Sequence, residues 1–304
     1  MKAKTKNIDN TDRFLTVKDK AILYFGFFLL FIFVLLIIGP LIYVLIASLN
    51  DPVTLASQGI SLNITKWNLE GYTRVLGDDM IWRGFMNSTI YSIGFTAVSV
   101  TVTMLAAYPL SRKDFMGRRF FTVLFIITMF FTGGLMPTYL LIENLNLMNT
   151  PWAVILPNAI NVWNIILARV YYQSVPVELR EAALMDGATE LQYFLKIMIP
   201  VCKPIIAVLI LYQFVAQWNS YFDAMIYLDD QKLHPLQLVI RSILVQNTMQ
   251  AGMLNDAESA ADAAKLAELL KYSTIVISSL PLLIMYPFFA KYFDKGIMIG
   301  SVKG

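Results

Sequence analysis

A carboxylate followed by two small residues, Glu181-Ala182-Ala183, then Gly187, then Ile197 and Pro200, stands in a short polar segment between two long hydrophobic stretches. Residues of these types break no bonds. A carboxylate offers one charge-assisted contact to a cation, paired alanines let another surface come close, and a glycine permits a sharp turn. The chemistry is that of a docking surface held at a membrane face. Groups for catalysis are sparse. The chain has one histidine, His234, and one cysteine, Cys202, too few for a multi-histidine metal site or an internal disulfide. His234 reads as a loop residue and Cys202 as a small apolar packing residue. Neither His-Glu-x-x-His nor Gly-x-Ser-x-Gly occurs, which excludes the common zinc-protease and serine-hydrolase arrangements.

The elements that must present this surface are legible locally. Pro176 suits a first helical turn, where its missing N–H costs nothing, and Glu178 and Glu181 follow where the positive end of a helix favours carboxylates. A helix is predicted to begin near Pro176. Gly187 allows a left-handed cap that stops it, and Thr189 with Gln192 three residues on forms a capping box that starts another. Segment 174–200 is therefore expected to be helix, turn, helix. In the second helix Leu191, Phe194, Leu195 and Met198 fall at i, i+3, i+4 and i+7, one apolar face, with Pro200 expected to end it.

The rest of the chain is membrane-like, with 57% hydrophobic residues, 15% charged residues and a mean hydropathy of +0.61. Stretches free of Asp, Glu, Lys and Arg run over residues 21–47, 85–111, 120–142, 150–168, 204–222 and 272–290. Each approaches or exceeds the roughly 20 helical residues that cross a bilayer core, so an all-α membrane protein with six spans is expected. The first is too long for the apolar core of a signal peptide and reads as an uncleaved span after a cytoplasmic segment, 1–20.

Basic residues orient the spans, because Lys and Arg in short loops stay on the cytoplasmic side. The N-terminal segment holds Lys2, Lys4, Lys6, Arg13, Lys18 and Lys20; later segments on the same side hold Arg112, Lys113, Arg118, Arg119, Arg169, Arg180, Lys196, Lys203, Lys291, Lys295 and Lys303. The opposite side holds only Lys66, Arg74, Arg83, Lys232, Arg241, Lys265 and Lys271. Both termini are thus expected in the cytoplasm. The net charge of +3 reflects topology, and nothing points to a nucleic-acid partner. Segment 226–271 makes an outer lobe, in which the Ala-, Leu-, Glu- and Lys-rich stretch 256–272 is predicted to be a helix leading into the sixth span.

Neutral polar residues mark a candidate path through the spans. Asn161 and Asn164 share a face at i, i+3, as do Gln213 and Gln217 at i, i+4, and Trp218-Asn219 follows them. Their hydrogen-bonding groups suit sugar hydroxyls, and an indole face suits a sugar ring. The competing reading is that such residues bond neighbouring helices, or that Trp218 anchors at the membrane interface. Gly133-Gly134 and Pro137 interrupt the third span, as a pathway hinge or as a kink that fits the bundle.

The spacing Glu181-Ala182-Ala183, three residues, Gly187, nine residues, Ile197-Met198-Ile199-Pro200 resembles the cytoplasmic signature of permease subunits of ATP-binding-cassette (ABC) importers, departing from it by Ile199 where the pattern has leucine. The likeness extends to Gly133-Gly134 with Pro137, Pro176-Val177-Glu178-Leu179, Asp186-Gly187-Ala188, Lys203-Pro204 and Trp218-Asn219, which look like the maltose-type, carbohydrate-uptake branch. The tail from Lys291-Tyr292-Phe293 to Gly304 is similar to permeases for plant-polysaccharide fragments.

This resemblance implies a type I importer permease of the bacterial cytoplasmic membrane, with residues 21–304 as the transmembrane domain. By carry-over, Glu181, Ala182, Ala183, Asp186, Gly187 and Pro200 belong to the loop that docks into an ATPase subunit, and Gly300, Lys303 and Gly304 to a tail lying along the ATPase dimer. It also implies a second six-span permease subunit, two ATP-binding subunits, an extracellular or periplasmic solute-binding protein and an oligosaccharide cargo. ATP and Mg would sit in the ATPase subunits, and no cofactor in this chain, which lacks Gly-x-x-x-x-Gly-Lys-Ser/Thr to cradle nucleotide phosphates. The competing class is an ion-coupled secondary transporter. Such proteins usually carry ionisable residues inside the bilayer, and the six stretches contain no Asp, Glu, Lys, Arg or His.

Overall fold

Thr16 starts the first helix by capping: its hydroxyl accepts from the Asp19 N–H while the Asp19 carboxylate accepts from the Thr16 N–H at 2.9 Å. The computed structural model describes residues 16–51, 55, 59–61, 63, 67–253 and 257–296, and these are α-helical apart from turns and loops, one π turn, one short 3-10 helix and one isolated bridge. In chain order the helices are α1 Val17–Ala47, α2 Glu70–Leu76, α3 Asp79–Ser111, α4 Arg118–Phe130, α5 Leu135–Asn144, α6 Pro151–Ile155, α7 Val162–Gln173, α8 Glu178–Met185, α9 Glu190–Val201, α10 Lys203–Trp218, α11 Phe222–Tyr227, α12 Leu236–Met253 and α13 Ala257–Gly296.

α3 is the centre of the bundle, enclosed by α10, α7 and α12, while α13 packs on α12, α10, α2 and α1. The close approach of α3 and α12 depends on Gly84. A Cβ there would lie 3.1 Å from the Leu236 Cα, and one turn on, Ser88 Oγ accepts the Leu236 N–H at 2.8 Å. One apolar core surrounds the C-terminal end of α3, with Met104, Ala107, Ile165, Tyr172, Phe194 and Leu209. Another lies at the opposite end around Val75, Ile81, Phe214, Trp218, Leu236 and Val239. α1 stands outside, its apolar side chains exposed, touching α13 through the Tyr43 and Tyr272 rings at 6.2 Å.

Three helical stretches, Lys18–Ala47, Asp79–Ser111 and Leu270–Phe289, are long and apolar enough to cross a membrane. Two bent pairs raise the number to as many as five among the described residues. The difference from six expected spans lies in residues 150–168, which form α6 and α7 instead of one helix. Pro157 has no N–H to continue α6, and Asn161 caps α7 by accepting the Asn164 N–H at 3.2 Å. Residues 120–142 also divide, with α4 and α5 inclined at 110°. Gly134 makes the corner with φ +86 and ψ 176, a conformation only glycine adopts cheaply, and Pro137 then falls in the first turn of α5, where no intrahelical partner is lost. This is a break and not a kink. The predicted helix at 256–272 lies at the start of α13, which continues unbroken from Ala257 through the sixth apolar stretch.

Candidate functional site

α8 ends in a full glycine cap. With Gly187 at φ +80, the Gly187 N–H bonds the Leu184 carbonyl at 3.0 Å and the Ala188 N–H bonds the Ala183 carbonyl at 2.9 Å. Thr189 then opens α9 with its capping box, the Gln192 N–H reaching the Thr189 hydroxyl at 3.2 Å and the Thr189 N–H the Gln192 side-chain oxygen at 3.0 Å. The elbow is thus set by local chemistry at both sides of one glycine.

Pro200 does not end α9. The helix widens to a π turn over Phe194–Met198 and passes through Pro200 to Val201 before bending 77° into α10. Widening the ladder just before the proline accommodates the ring and the missing N–H without breaking the chain direction. It also rotates the apolar face. Phe194 and Met198 are buried with Tyr193, whereas Leu191 and Leu195 face outward, Leu191 at 64% exposure.

A network that sequence reasoning did not single out fastens this elbow to α3. The Arg180 guanidinium pairs with Glu190 across the turn and with Asp114 at 3.5 Å; Arg112 holds Asp114 through two bonds at 2.8 and 3.0 Å; the Tyr108 hydroxyl donates to Glu190 at 2.8 Å. The Tyr108 ring lies 4.8 Å from that of Phe194. Arg180 holds the Glu190 carboxyl below its ordinary range, and Arg112 does the same for Asp114. The detectable signal was the turn itself, which brings residue 180 on α8 across to residue 190 on α9.

The network leaves one face of the elbow free. Glu181, Ala182 and Asp186 are exposed, and Ala183 is buried against the bundle. Glu181 makes no hydrogen bond or ion pair among the described residues, and on the same elbow Val177, Leu179, Leu184, Met185 and Leu191 are exposed, Met185 at 89%. A free carboxylate on a surface that also exposes apolar side chains is suited to bind a cationic, partly apolar groove. Gly300, Lys303 and Gly304 lie outside the described residues.

The candidate path residues are dispersed. Asn164, Gln213 and Gln217 are buried, and Gln213 donates to Ser99 on α3. Trp218 is 1% exposed, stacked on Phe214 at 5.9 Å, with Phe85 edge-on at 5.5 Å and its N–H on the Ser278 carbonyl at 3.1 Å. In this conformation the indole offers no face to a sugar. Asn161 and Asn219 are exposed, at the start of α7 and just past the end of α10, each bonding its own helix. Beside Asn161, Asn158 donates to Asp223 at 2.6 Å, and burial pushes that carboxyl above its ordinary range.

Residues 99–299 match the family described as "Binding-protein-dependent transport system inner membrane component". The chain is 36% identical over 282 residues to the polygalacturonan/rhamnogalacturonan transport system permease protein YtcP of Bacillus subtilis, covering 93% of this chain and 97% of that protein. It is 28% identical to the arabinooligosaccharides transport system permease protein AraQ of Bacillus subtilis, covering 89% and 92%. Among solved structures, a chain of a bacterial ABC transporter involved in the import of the acidic polysaccharide alginate superposes with a TM-score of 0.79 at 30% identity, covering 92% of this chain and 99% of the other. With these relatives, an all-helical architecture and several apolar helices, the chain belongs to the binding-protein-dependent inner membrane components, the type I permease subunits of ABC importers.

Proposed function

We propose that the chain forms half of the translocation pathway for an oligosaccharide and is driven through its elbow by a separate ATPase. Glu181 is the charged contact, Ala182 and Ala183 permit close approach, Asp186 and Gly187 shape the turn, and Pro200 belongs to the joint with α10. The observation that carries this is the pairing of a fastened inner side with a free outer side. Arg180, Glu190 and Tyr108 tie the elbow to α3, while unpaired Glu181 faces outward on an elbow that also exposes apolar residues. A force applied to α8 therefore reaches the core helix.

A second permease subunit completes the pathway, two ATP-binding subunits supply hydrolysis with ATP and Mg, and a solute-binding protein delivers the cargo from outside. Both termini lie in the cytoplasm, and Gly300, Lys303 and Gly304 extend along the ATPase. Relatives named for polygalacturonan/rhamnogalacturonan and for arabinooligosaccharides, and a solved transporter of the acidic polysaccharide alginate, support plant-type or acidic oligosaccharides as cargo. Asn161, Asn164, Gln213, Gln217, Trp218 and Asn219 are the pathway residues; the buried ones become accessible only when α7, α10 and α13 separate. In the assembled importer reconstituted in vesicles, Glu181→Ala should abolish most binding-protein-stimulated ATPase activity, since losing one partner of a buried charge pair costs about 2–5 kcal/mol. Unchanged stimulation would refute the coupling role.

A further inference from the structure

At the elbow end of the bundle, a cavity of about 510 Å³ opens between α4 and α7, with Lys113, Arg118, Arg119 and Arg169 around it and Phe115 and Val123 among its apolar lining. Four cations converge here without a counter-charge. None of the four forms an ion pair among the described residues, and the nearest acid in sequence, Asp114, is already committed to Arg112 and Arg180. The Arg169 Nε is buried with no hydrogen-bond partner. Arg118 and Arg119 occupy the first turn of α4, the positive end of a helix that has no acidic residue in that turn and no side-chain cap from Gly117. Cations there oppose the helix dipole, and the arrangement is costly unless an anion sits among them.

The surface next to the cavity identifies the anion's other half. From Phe120 onward α4 has no buried residue, and Phe120, Leu124 and Ile127 present an exposed apolar strip immediately beyond the arginines. A free phosphate would use the cations and leave the strip bare; an amphiphile uses both. We infer that this cavity binds the phosphate headgroup of an anionic glycerophospholipid, whose acyl chains lie along α4. The bound lipid neutralises the mouth of the cavity and fixes the start of α4 beside α7, next to the Arg112–Asp114–Arg180 network that holds the elbow.

The test uses the full chain with the subunits that co-purify with it, in nanodiscs of phosphatidylcholine with or without phosphatidylglycerol, read by native mass spectrometry. The wild type should retain phosphatidylglycerol in preference to phosphatidylcholine. The Arg118→Gln/Arg169→Gln double variant should retain roughly thirty-fold less, two headgroup charges being lost. Arg118→Lys/Arg169→Lys should keep most of the retention, and Lys196→Gln, a cation on the elbow outside the cavity, should keep all of it. Should the double glutamine variant fail to assemble, Arg119→Gln is read instead and must itself reduce retention. Undiminished retention in the glutamine variants would overturn the inference. So would displacement of the lipid by millimolar inorganic phosphate, or a particle in which partner carboxylates occupy the four cations.

Discussion

Arg180 decides how firmly the elbow is held, and its surroundings set the magnitude. Its side chain is 18% exposed but its partners Asp114 and Glu190 are 61% and 49% exposed, so solvent screens both pairs. Arg180→Ala should therefore cost only about 1 kcal/mol of stability, while loosening the elbow enough to lower ATPase stimulation; thermal melting and coupled ATPase assays separate the two effects. The pH dependence has a definite sign. Glu190 is held below its ordinary range by the Arg180 bond, so its contribution is complete above the ordinary glutamate pKa and is lost as pH falls through the depressed value. In melting scans toward acid, Glu190→Gln should start less stable and lose less than the wild type across that window. Thr189, Gln192 and Gly187 were readable in the sequence because each acts within a few residues. The bonds of Arg180 to Asp114 and of Tyr108 to Glu190 were not, because they join segments that only the folded bundle brings together.

Among elements, the glycines mark where geometry is least negotiable. Gly187 has open space where a Cβ would sit, so Gly187→Ala should cost only the backbone strain of a left-handed alanine, about 1–2 kcal/mol by melting of the purified chain. Gly84 is the opposite case. Its φ is ordinary, but a Cβ would press on α12, and Gly84→Ala should cost about 1–3 kcal/mol by overpacking, whereas Gly26→Ala on exposed α1, with nothing nearby, should not destabilise. The apolar stretches were visible from composition, as was the helix at the start of α13. The interruption at Gly133-Gly134 was visible too, but its 110° size and the division of 150–168 were not, because an apolar run reports burial or membrane contact and not continuity. The π turn also escaped the periodicity argument, since a pattern read at 3.6 residues per turn assumes an unwidened helix.

For the whole molecule, topology is testable with the native cysteine in place. Burial pushes the Cys202 thiol up to about 12, so it stays protonated and enclosed at neutral pH and should resist maleimide. Asp186→Cys should then be labelled only from the cytoplasmic side, and Lys232→Cys only from outside; the reverse pattern would invert the chain. The length of α13 has its own implication. Forty residues at 1.5 Å each make a rod of about 60 Å, twice the thickness of the lipid hydrocarbon layer of about 30 Å. Such a shaft acts as a pointer pivoting in the bilayer: tilting it by about ten degrees sweeps one tip past the other by roughly 10 Å. Rearrangement of small amplitude among the helices it leans on thereby becomes a large displacement at its Ala257 end.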